Sequence, residues 1–507
     1  MPHRPPLVIL AMDTGDGDAI ELWVKQGYLP TIRALMERGC WGRTVGPEMI
    51  CEYGVGLTMF SGVSRREHGY YYLRQLRPGT YDLESVRAPA SAPPFGSHLR
   101  GTDARVLVVD VPDAQLVPGL AGLQLTDWGT HHGSKYAPEA EPPELLEDVR
   151  RSFGPRIVVH AGPNVSPGEG RKVRASLLER VRRKGALCRE LLGRGPFDLA
   201  VIFFSDTDAA SHSFWKYRPE AAGPAAEDDL RYAIRDVYTA IDAELGKLLE
   251  RLPSDANVFF LSLYGMQDEY PVSTLIESFL RELGYHAAAG SNGASGGKRA
   301  LDPLGLARRI VPQGVREAIS RRLPERHQEH LLATRLRDTT DWSRTTAFAI
   351  PSLFTSFVRV NLRGREPRGI VSPGAEYDAV LGRIADDLAL LVDKETGSPA
   401  VRRATRTTEL FGAGPPSSLP DLFVEWEPGP RMLSTVLHPR ATLVQKAPAY
   451  CEDSQEKLEG FVVAAGPAVL QSGPIGDIEL APTFMSLLGR PIPASMGGRP
   501  LVATLNG

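Results

Sequence analysis

The stretch "FDLAVIFFSDTD", residues 197–208, is a continuous apolar run that ends in acidic residues. The segment before it, "SLLERVRRKGALCRELLGRG" (176–195), carries Leu and Val at three- and four-residue spacing, which predicts an amphipathic helix. A helix that leads into a strand that is apolar throughout is typical of a parallel sheet covered by helices on both faces.

The same pattern recurs along the chain. "PLVILAM" (6–12) and "ARVLVVDVP" (104–112) read as buried strands, and "DLRYAIRDVYTAIDAELGKLLERL" (229–252) as a long amphipathic helix. That helix leads into "NVFFL" (257–261), a further strand, which we expect to end in a loop marked by Gly265. The alternation of strands and helices predicts the α/β fold class.

The amino-acid composition of the chain changes in the middle. From about residue 289 to 340 the sequence is first small and polar and then rich in Arg, and strand-like segments return after it. We expect a core α/β domain in two parts, 1–288 and 405–507, with a cap or insertion at 289–404. The chain contains no internal repeat.

Composition excludes several classes of protein. A net charge of −3 with both signs interspersed offers no field for nucleic acid or anionic lipid. The four cysteines lie far apart without a CxxC pair, which argues against a disulfide framework or a zinc knuckle. The first apolar run has six residues, and none approaches the length of about eighteen that a membrane span needs. We expect a bacterial, cytoplasmic protein with a small-molecule substrate, and neither nucleic acid nor membrane as a partner; the oligomeric state stays open.

Polar residues follow several of these strands. Asp13 ends the first, and Asp208 and His212 follow the run at 197–204 with the spacing that puts both on one face of a helix. Glu456 precedes another strand-like segment, "GFVVAAGP" (460–467). Open α/β sheets bind ligands at the carboxyl ends of their strands, and an Asp-x-x-x-His pair suits one cation. The alternatives are that Asp13 caps the next helix and that the Asp–His pair only forms a hydrogen bond.

Several longer stretches together resemble one family. They are "VILAMDTGDGDAIELWVKQGYLPTIRALMERGCWGRT", "FSGVSRREHG", "FFSDTDAASHSFWKY" and "DIELAPTFMSLLGRPIPASMGGRPL", in order from about residue 7 to 503. They resemble the type I phosphodiesterase and nucleotide pyrophosphatase branch of the alkaline phosphatase superfamily. The resemblance implies a three-layer α/β/α sandwich of the alkaline phosphatase kind with a cap insertion. It also implies two divalent metals and a Thr or Ser nucleophile acting on a phosphoryl group.

Some of the positions that carry this reaction in the family are kept. Asp13 matches the Asp of the first strand, and Asp208 and His212 match the Asp-x-x-x-His pair. The nucleophile position, ten residues before Gly62, holds Glu52.

Other positions differ from the family pattern. Its Asp-His pair before a glycine is replaced by Leu263 and Tyr264, and its late His is replaced by Glu456. Leucine and a neutral tyrosine offer little to a second cation, so we expect no two-metal centre. We expect at most one divalent metal (Zn, Mn or Mg), held by the Asp-x-x-x-His pair and Glu456.

The catalytic candidates are therefore Glu52, Asp13, Tyr264 and Cys51. Glu52 could act as a general base or share a proton with Asp13 or Tyr264, or it could be salt-bridged to an arginine. Cys51, one residue away, could be a covalent nucleophile or an inert buried thiol.

Two adjacent histidines, His131 and His132 in "TDWGTHHGSKY", could reach the pocket and bind substrate, or could stabilise a turn. His68, in "REHG", is expected to be structural.

Three functional hypotheses follow. The first is a remodelled enzyme, with one metal or none, that hydrolyses or transfers a group on a phosphorylated or otherwise activated small molecule. The second is a single-metal phosphodiesterase or nucleotide pyrophosphatase. The third is a catalytically silent binding or regulatory protein, because a fold does not guarantee its family's reaction.

Overall fold

The computed structural model describes most of the 507-residue chain. The described residues are 4–51, 53–86, 91–130, 136–159, 162, 165–220, 229–289, 334, 336–412, 414–446, 453–467 and 474–501.

The strands and helices are numbered in chain order. The strands are β1 (Leu7–Thr14), β2 (Cys40–Val45), β3 (Arg74–Leu76), β4 (Leu83–Ser85), β5 (Arg105–Val109), β6 (Ala121–Thr126), β7 (Glu139–Glu141), β8 (Leu199–Phe204), β9 (Asn257–Asp268), β10 (Ala347–Ile350), β11 (Ser356–Val360), β12 (Val392–Asp393), β13 (Val401–Arg406), β14 (Leu422–Trp426), β15 (Thr435–His438), β16 (Ala441–Val444), β17 (Ser454–Lys457), β18 (Phe461–Ala465) and β19 (Ile475–Gly476). The helices are α1 (Gly17–Lys25), α2 (Pro30–Arg38), α3 (Val55–Ser61), α4 (Arg65–His68), α5 (Glu144–Phe153), α6 (Pro167–Leu192), α7 (Asp206–Phe214), α8 (Ala233–Leu249), α9 (Leu275–Glu282), α10 (Ala375–Ala389), α11 (Thr407–Phe411) and α12 (Leu480–Leu487).

The main sheet has ten strands, in the order β19-β2-β18-β9-β1-β8-β5-β6-β7, with β17 paired to β9 outside this path. Its central strands β9, β1, β8, β5 and β6 run parallel to their neighbours in that series. The parallel sheet expected from the apolar strands is therefore confirmed, and its carboxyl ends lie along one edge.

Helices cover both faces of this sheet. Along β1, Val8, Leu10 and Met12 face a core built with residues of α1, α2, α5, α6, α7 and α8. The alternate residues Leu7 and Ile9 face a second core, with α3, α12 and the 3₁₀ turn at 95–99. Since all five side chains are at most 2% exposed, each contributes about 1.5–3 kcal/mol by burial. The three-layer α/β/α architecture is confirmed.

A smaller antiparallel sheet, in the order β10-β11-β14-β13, packs against α9 and α10. It lies partly in the region 289–404 that we predicted to be the cap. This sheet continues past the predicted boundary at residue 404. Strand β13 spans the boundary and pairs with β14, which lies beyond it. The chain then rejoins the main sheet through β17, β18 and β19. The division into 1–288, 289–404 and 405–507 stays a prediction.

Strand β9 is longer than expected. The prediction that it ends at Leu261, before a loop at Gly265, is wrong, because β17 pairs with residues 265–268 and extends the ladder. Gly265 does not form a turn. It lets the strand pass close to Asp16, because a Cβ at position 265 would lie 2.6 Å from the Asp16 carboxylate.

In the described part of the chain, no helix combines the length and the apolar content that crossing a membrane requires.

Candidate active site

Helix α7 begins two residues after β8 and brings two polar side chains to the edge of the sheet. Asp208 lies in its first turn and His212 one turn later, with His212 Nε2 3.6 Å from Asp208 Oδ1. The predicted helical spacing is confirmed.

The third member of the group comes from the distant strand β17. Glu456 Oε1 lies 3.8 Å from His212 Nε2. The ligand atoms of Asp208, His212 and Glu456 all lie within 4.8 Å of one another, and the described residues contain no other group of three or more His, Cys, Asp or Glu of this kind. The three side chains predicted to hold a metal are thus brought together, with one nitrogen and two carboxylate donors.

Strand alternation orients the imidazole of this group. Ser454 and Glu456 lie two residues apart on one face of β17. Ser454 Oγ lies 3.4 Å from His212 Nδ1, so the other ring nitrogen, Nε2, is turned towards the carboxylates. A hydrogen bond to one ring nitrogen is the usual way in which a metal-binding histidine is oriented.

The end of β1 lies beside this group. Asp13 and Thr14 are 3% and 1% exposed, and Thr14 Oγ1 donates to Asp208 Oδ1 at 3.1 Å. The alternative that Asp13 caps α1 is wrong, because Asp16 is the capping residue and accepts from the Ala19 N–H. Asp13 instead faces the cavity described next.

A cavity of about 380 Å³ opens from the carboxylates. Asp13, Asp208, Glu456 and Tyr264 line it at the sheet edge, and most of its other lining residues are apolar or aromatic. These others are Tyr53, Gly54, Gly56, Leu57, Phe60, Tyr70, Ala92, Pro93, Pro94, Ser97, Arg100, Val111, Pro112, Asp113, Ala114, Gln115, Leu116, Val117, Pro118, Phe203 and Leu263.

Leu263 and Tyr264 sit where β9 passes the end of β1, with Tyr264 opposite Thr14 in the ladder. Leu263 is 4% exposed and belongs to the apolar core beneath α3. It packs so closely on α3 that a Cβ on Gly56 would lie 3.2 Å from Leu263 Cδ1. The leucine therefore fills this corner with hydrocarbon and supplies no ligand atom.

Cys51 is fully buried, which favours the alternative of an inert thiol, and its role as a catalytic nucleophile stays a prediction. Its fully buried Sγ lies 2.6 Å from Arg65 Nη1 and 3.1 Å from the Tyr71 carbonyl oxygen, and it is absent from the described lining residues. The thiol packs in an aromatic core that includes Tyr72 and Phe357.

Three other predicted residues, Glu52, His131 and His132, lie outside the described residues. His68 is held between Thr58 Oγ1, 3.1 Å from its Nε2, and the Tyr70 N–H, which donates to its Nδ1. Burial lowers the pKa of His68 to about 3, so this ring is neutral and structural at pH 7.

Comparison with known proteins identifies the family. Residues 7–392 match the family model described as type I phosphodiesterase / nucleotide pyrophosphatase. The chain belongs to this family. No curated protein matches it in sequence.

Solved structures with this phosphodiesterase fold resemble the chain over nearly its whole length. Phosphonoacetate hydrolase from Sinorhizobium meliloti 1021 in complex with phosphonoacetate is 12% identical, with a TM-score of 0.53, covering 96% of this chain and 95% of that one. Its complex with phosphonoformate gives a TM-score of 0.51 at the same identity and coverage. Murine ectonucleotide pyrophosphatase / phosphodiesterase 5 is 11% identical, with a TM-score of 0.47 and coverage of 98% and 100%. The fold is the three-layer sandwich of the alkaline phosphatase superfamily.

Membership of the phosphodiesterase family has a chemical meaning. The family consists of metal-dependent hydrolases of phosphoryl compounds, and Asp208, His212 and Glu456 are a possible ligand group in this member. Neighbours in fold are solved with small molecules such as phosphonoacetate.

Sequence reasoning missed several contributors to this site. Thr14 directly follows the predicted Asp13, and Ser454 precedes the predicted Glu456 by two residues, so strand alternation could have pointed to the serine. The segment 111–118, which forms one wall of the cavity, carries few residues that signal chemistry.

Buried acidic groups support the loop that precedes α3. Glu48 accepts from Ser64 Oγ and from the Arg65 N–H, which ties residue 48 to the start of α4. Asp477, also fully buried, lies beside Gly46, where a Cβ would be 2.8 Å from its Oδ1. Burial, and then the charge of Glu48, raises the pKa of Asp477 to about 7.

Replacement of Asp477 by asparagine is expected to stabilise the fold at pH 8. A carboxyl whose pKa rises on folding contributes stability below its unfolded value of about 4 and loses it as pH rises through about 7. The asparagine side chain keeps an acceptor for the Ile478 N–H but carries no charge. Thermal unfolding should show a gain that is larger at pH 8 than at pH 5, by on the order of 2–3 kcal/mol.

Asp103→Asn is the matched control, since that side chain is 77% exposed and bonded to Arg490. It should leave the stability nearly unchanged at either pH. Equal effects of Asp477→Asn at pH 5 and pH 8 would contradict the assignment of a titrating buried carboxyl.

Proposed function

We propose that this chain hydrolyses a phosphoryl ester of a small molecule with one bound divalent cation and without a covalent enzyme intermediate. The observation that carries the proposal is the group Asp208, His212 and Glu456, whose two carboxylates line a 380 Å³ cavity. Leu263 stands where the family has a ligand for a second metal. Because its side chain is hydrocarbon and cannot coordinate a metal, we propose one cation and not two.

The donor set fits such a cation. One imidazole nitrogen and two carboxylates suit Mn²⁺, Mg²⁺ or Zn²⁺, and three protein ligands leave positions open for substrate or water. The distances of His212 Nε2 to the two carboxylates, 3.6 and 3.8 Å, are those of neighbouring ligands around one ion. When bound, the cation would polarise the phosphoryl oxygens and offset negative charge in the transition state.

The reaction is a single displacement at phosphorus. A water oxygen forms a bond to phosphorus while the bond from phosphorus to the leaving oxygen breaks, and its electron pair stays on that oxygen. A water proton passes to a carboxylate, for which Asp13 faces the cavity and Glu52 occupies the family's nucleophile position. Tyr264, also on the cavity wall, is placed to orient the phosphoryl group or to protonate the leaving oxygen. The products are a phosphoryl acid and an alcohol.

Stereochemistry at phosphorus tests this proposal. With a chiral phosphorothioate diester and ¹⁸O-labelled water, a single displacement inverts the configuration, whereas a Thr, Ser or Cys nucleophile would lead to retention through two displacements. We expect inversion, and one equivalent of Mn²⁺ or Zn²⁺ per chain by elemental analysis of protein purified without chelator. Turnover of generic aryl esters should be slow, well below about 10 per second.

Each alternative has its own outcome. Retention of configuration would contradict direct attack by water, and two equivalents of metal would contradict the argument from Leu263. A protein that binds one metal but turns over no phosphoryl ester would be a silent binding protein on an enzyme fold.

A further inference from the structure

The part of the cavity beyond the carboxylates is walled by the segment that follows β5. Val111, Pro112, Leu116 and Pro118 line it from this side. Apolar side chains dominate this wall, and prolines have no N–H group to offer a ligand.

Buried polar side chains hold this wall in place. The Gln124 side chain, 3% exposed, donates to the Val117 carbonyl and accepts from the Val117 N–H, both at 2.9 Å. At the start of the segment, Asp110 has a φ of 54° and pairs with the fully buried Lys184, with a distance of 2.8 Å between Nζ and Oδ2. Because the segment is held at both ends, it loses little conformational entropy when a ligand binds.

The facing wall is also apolar. Leu57 and Phe60 of α3 lie on this side, with Pro93 and Pro94 before the 3₁₀ turn. Phe203 lies beneath, with its ring centroid 5.6 Å from that of Phe60.

Four polar side chains, Ser97, Arg100, Asp113 and Gln115, share this part of the cavity. Arg100 and Gln115 are exposed to solvent. Pro93, Pro94 and Pro118 are exposed as well. The rest of the lining here is mainly apolar, and it belongs to the same cavity as the carboxylate group.

We propose that this space is the subsite for an uncharged apolar substituent of the substrate, an alkyl or aryl group esterified to the phosphoryl centre. The inference rests on the proposed function, because that function places the phosphoryl group at Asp208 and Glu456. A cavity of 380 Å³ lies in the range of small-molecule sites, which are lined mainly by apolar side chains with few polar groups. Transfer of an alkyl or aryl group from water to this site is favourable in proportion to the area that it buries.

A series of alkyl p-nitrophenyl phosphodiesters tests the subsite, with alkyl chains from methyl to octyl, in the presence of Mn²⁺. The value of kcat/KM should rise by up to about fourfold for each added CH₂ until the space is filled. The p-nitrophenyl ester of thymidine 5′-monophosphate, of comparable size but polar, should react no faster than the methyl ester.

Leu116→Ser should flatten this dependence on chain length, so that the octyl ester loses more of its kcat/KM than the methyl ester does. Leu390→Ser is the matched control: Leu390 is 49% exposed at the end of α10 and is not among the residues that line the cavity, so its substitution should preserve the slope.

A binding measurement separates failure of the subsite from failure of the proposed reaction. Calorimetric titration with alkylphosphonates of increasing length, with Mn²⁺ present, needs no turnover. Affinity that rises with chain length and falls in Leu116→Ser supports the subsite even if no ester is hydrolysed. Hydrolysis without any dependence on chain length, or a preference for the thymidine ester, would overturn the subsite and leave the reaction standing.

Discussion

Replacement of Asp208 by alanine is expected to abolish tight cation binding and to lower kcat/KM by a factor on the order of 10³. The side chain is one of three donors within 4.8 Å of one another, and its Oδ1 also accepts from Thr14. Two donors rarely hold a divalent ion against water. Metal content after gel filtration and hydrolysis of a phosphodiester in added Mn²⁺ measure the two effects.

A matched pair of glutamates controls for loss of charge. Glu456→Gln removes the negative charge of a donor of the same group, whereas Glu459→Gln changes a 40% exposed side chain that pairs with Arg43. We expect the first to lower metal affinity by about 10²-fold or more and the second to leave it unchanged. Unaltered metal content in both Asp208→Ala and Glu456→Gln would show that the cation is not held here.

Replacement of Lys184 by methionine is expected to cost about 3–5 kcal/mol of stability. The ammonium is fully buried, pairs with Asp110 Oδ2 at 2.8 Å, and donates to the carbonyl oxygens of Gly129 and Phe203. Methionine fits the space but leaves the Asp110 carboxylate buried without a counter-charge. Denaturant unfolding followed by circular dichroism gives the change in free energy.

The double variant Lys184→Met, Asp110→Asn should recover part of this loss, because the buried charge is then removed from both sides. Asparagine tolerates the positive φ of 54° at position 110. Lys247→Met is the control, since its side chain is 52% exposed and bonded to Glu244, and it should cost less than about 1 kcal/mol. A double variant that is as unstable as Lys184→Met would show that the lost contacts of the ammonium, not the stranded carboxylate, dominate.

The parts of the fold that depend on local pattern could be predicted from sequence. Continuous apolar runs located β1, β5 and β8, and a spacing of four located Asp208 and His212 on one helical turn. What failed depends on contacts between distant segments. Strand β9 continues past Gly265 only because residues 454–457 pair with it, and such pairing leaves no trace in the sequence around 265.

Buried charges were missed for a related reason. Lys184 lies in a helix that also carries exposed basic residues such as Arg182. From sequence alone, Lys184 is therefore expected to lie on the same solvent-exposed face. Its burial follows from Asp110 and the end of β8, which only the folded chain brings near. Cys51 shows that nearness in sequence to the family's nucleophile position does not fix where a side chain packs, since this thiol lies in a separate aromatic core.

Strand β17 pairs with β9 over four residues, with Glu456 opposite Met266 and Ser454 opposite Asp268. Because side chains alternate along a strand, a shift of this pairing by one residue would turn Glu456 away from His212 and put Gln455 or Lys457 in its place. Loss or gain of one codon within the strand, between Ser454 and Glu456, would therefore disable the ligand group as completely as a substitution of the glutamate. Among evolutionary relatives, this stretch should tolerate exchange of residues far better than change of length, and an alignment gap placed there would mark a protein that has lost the cation.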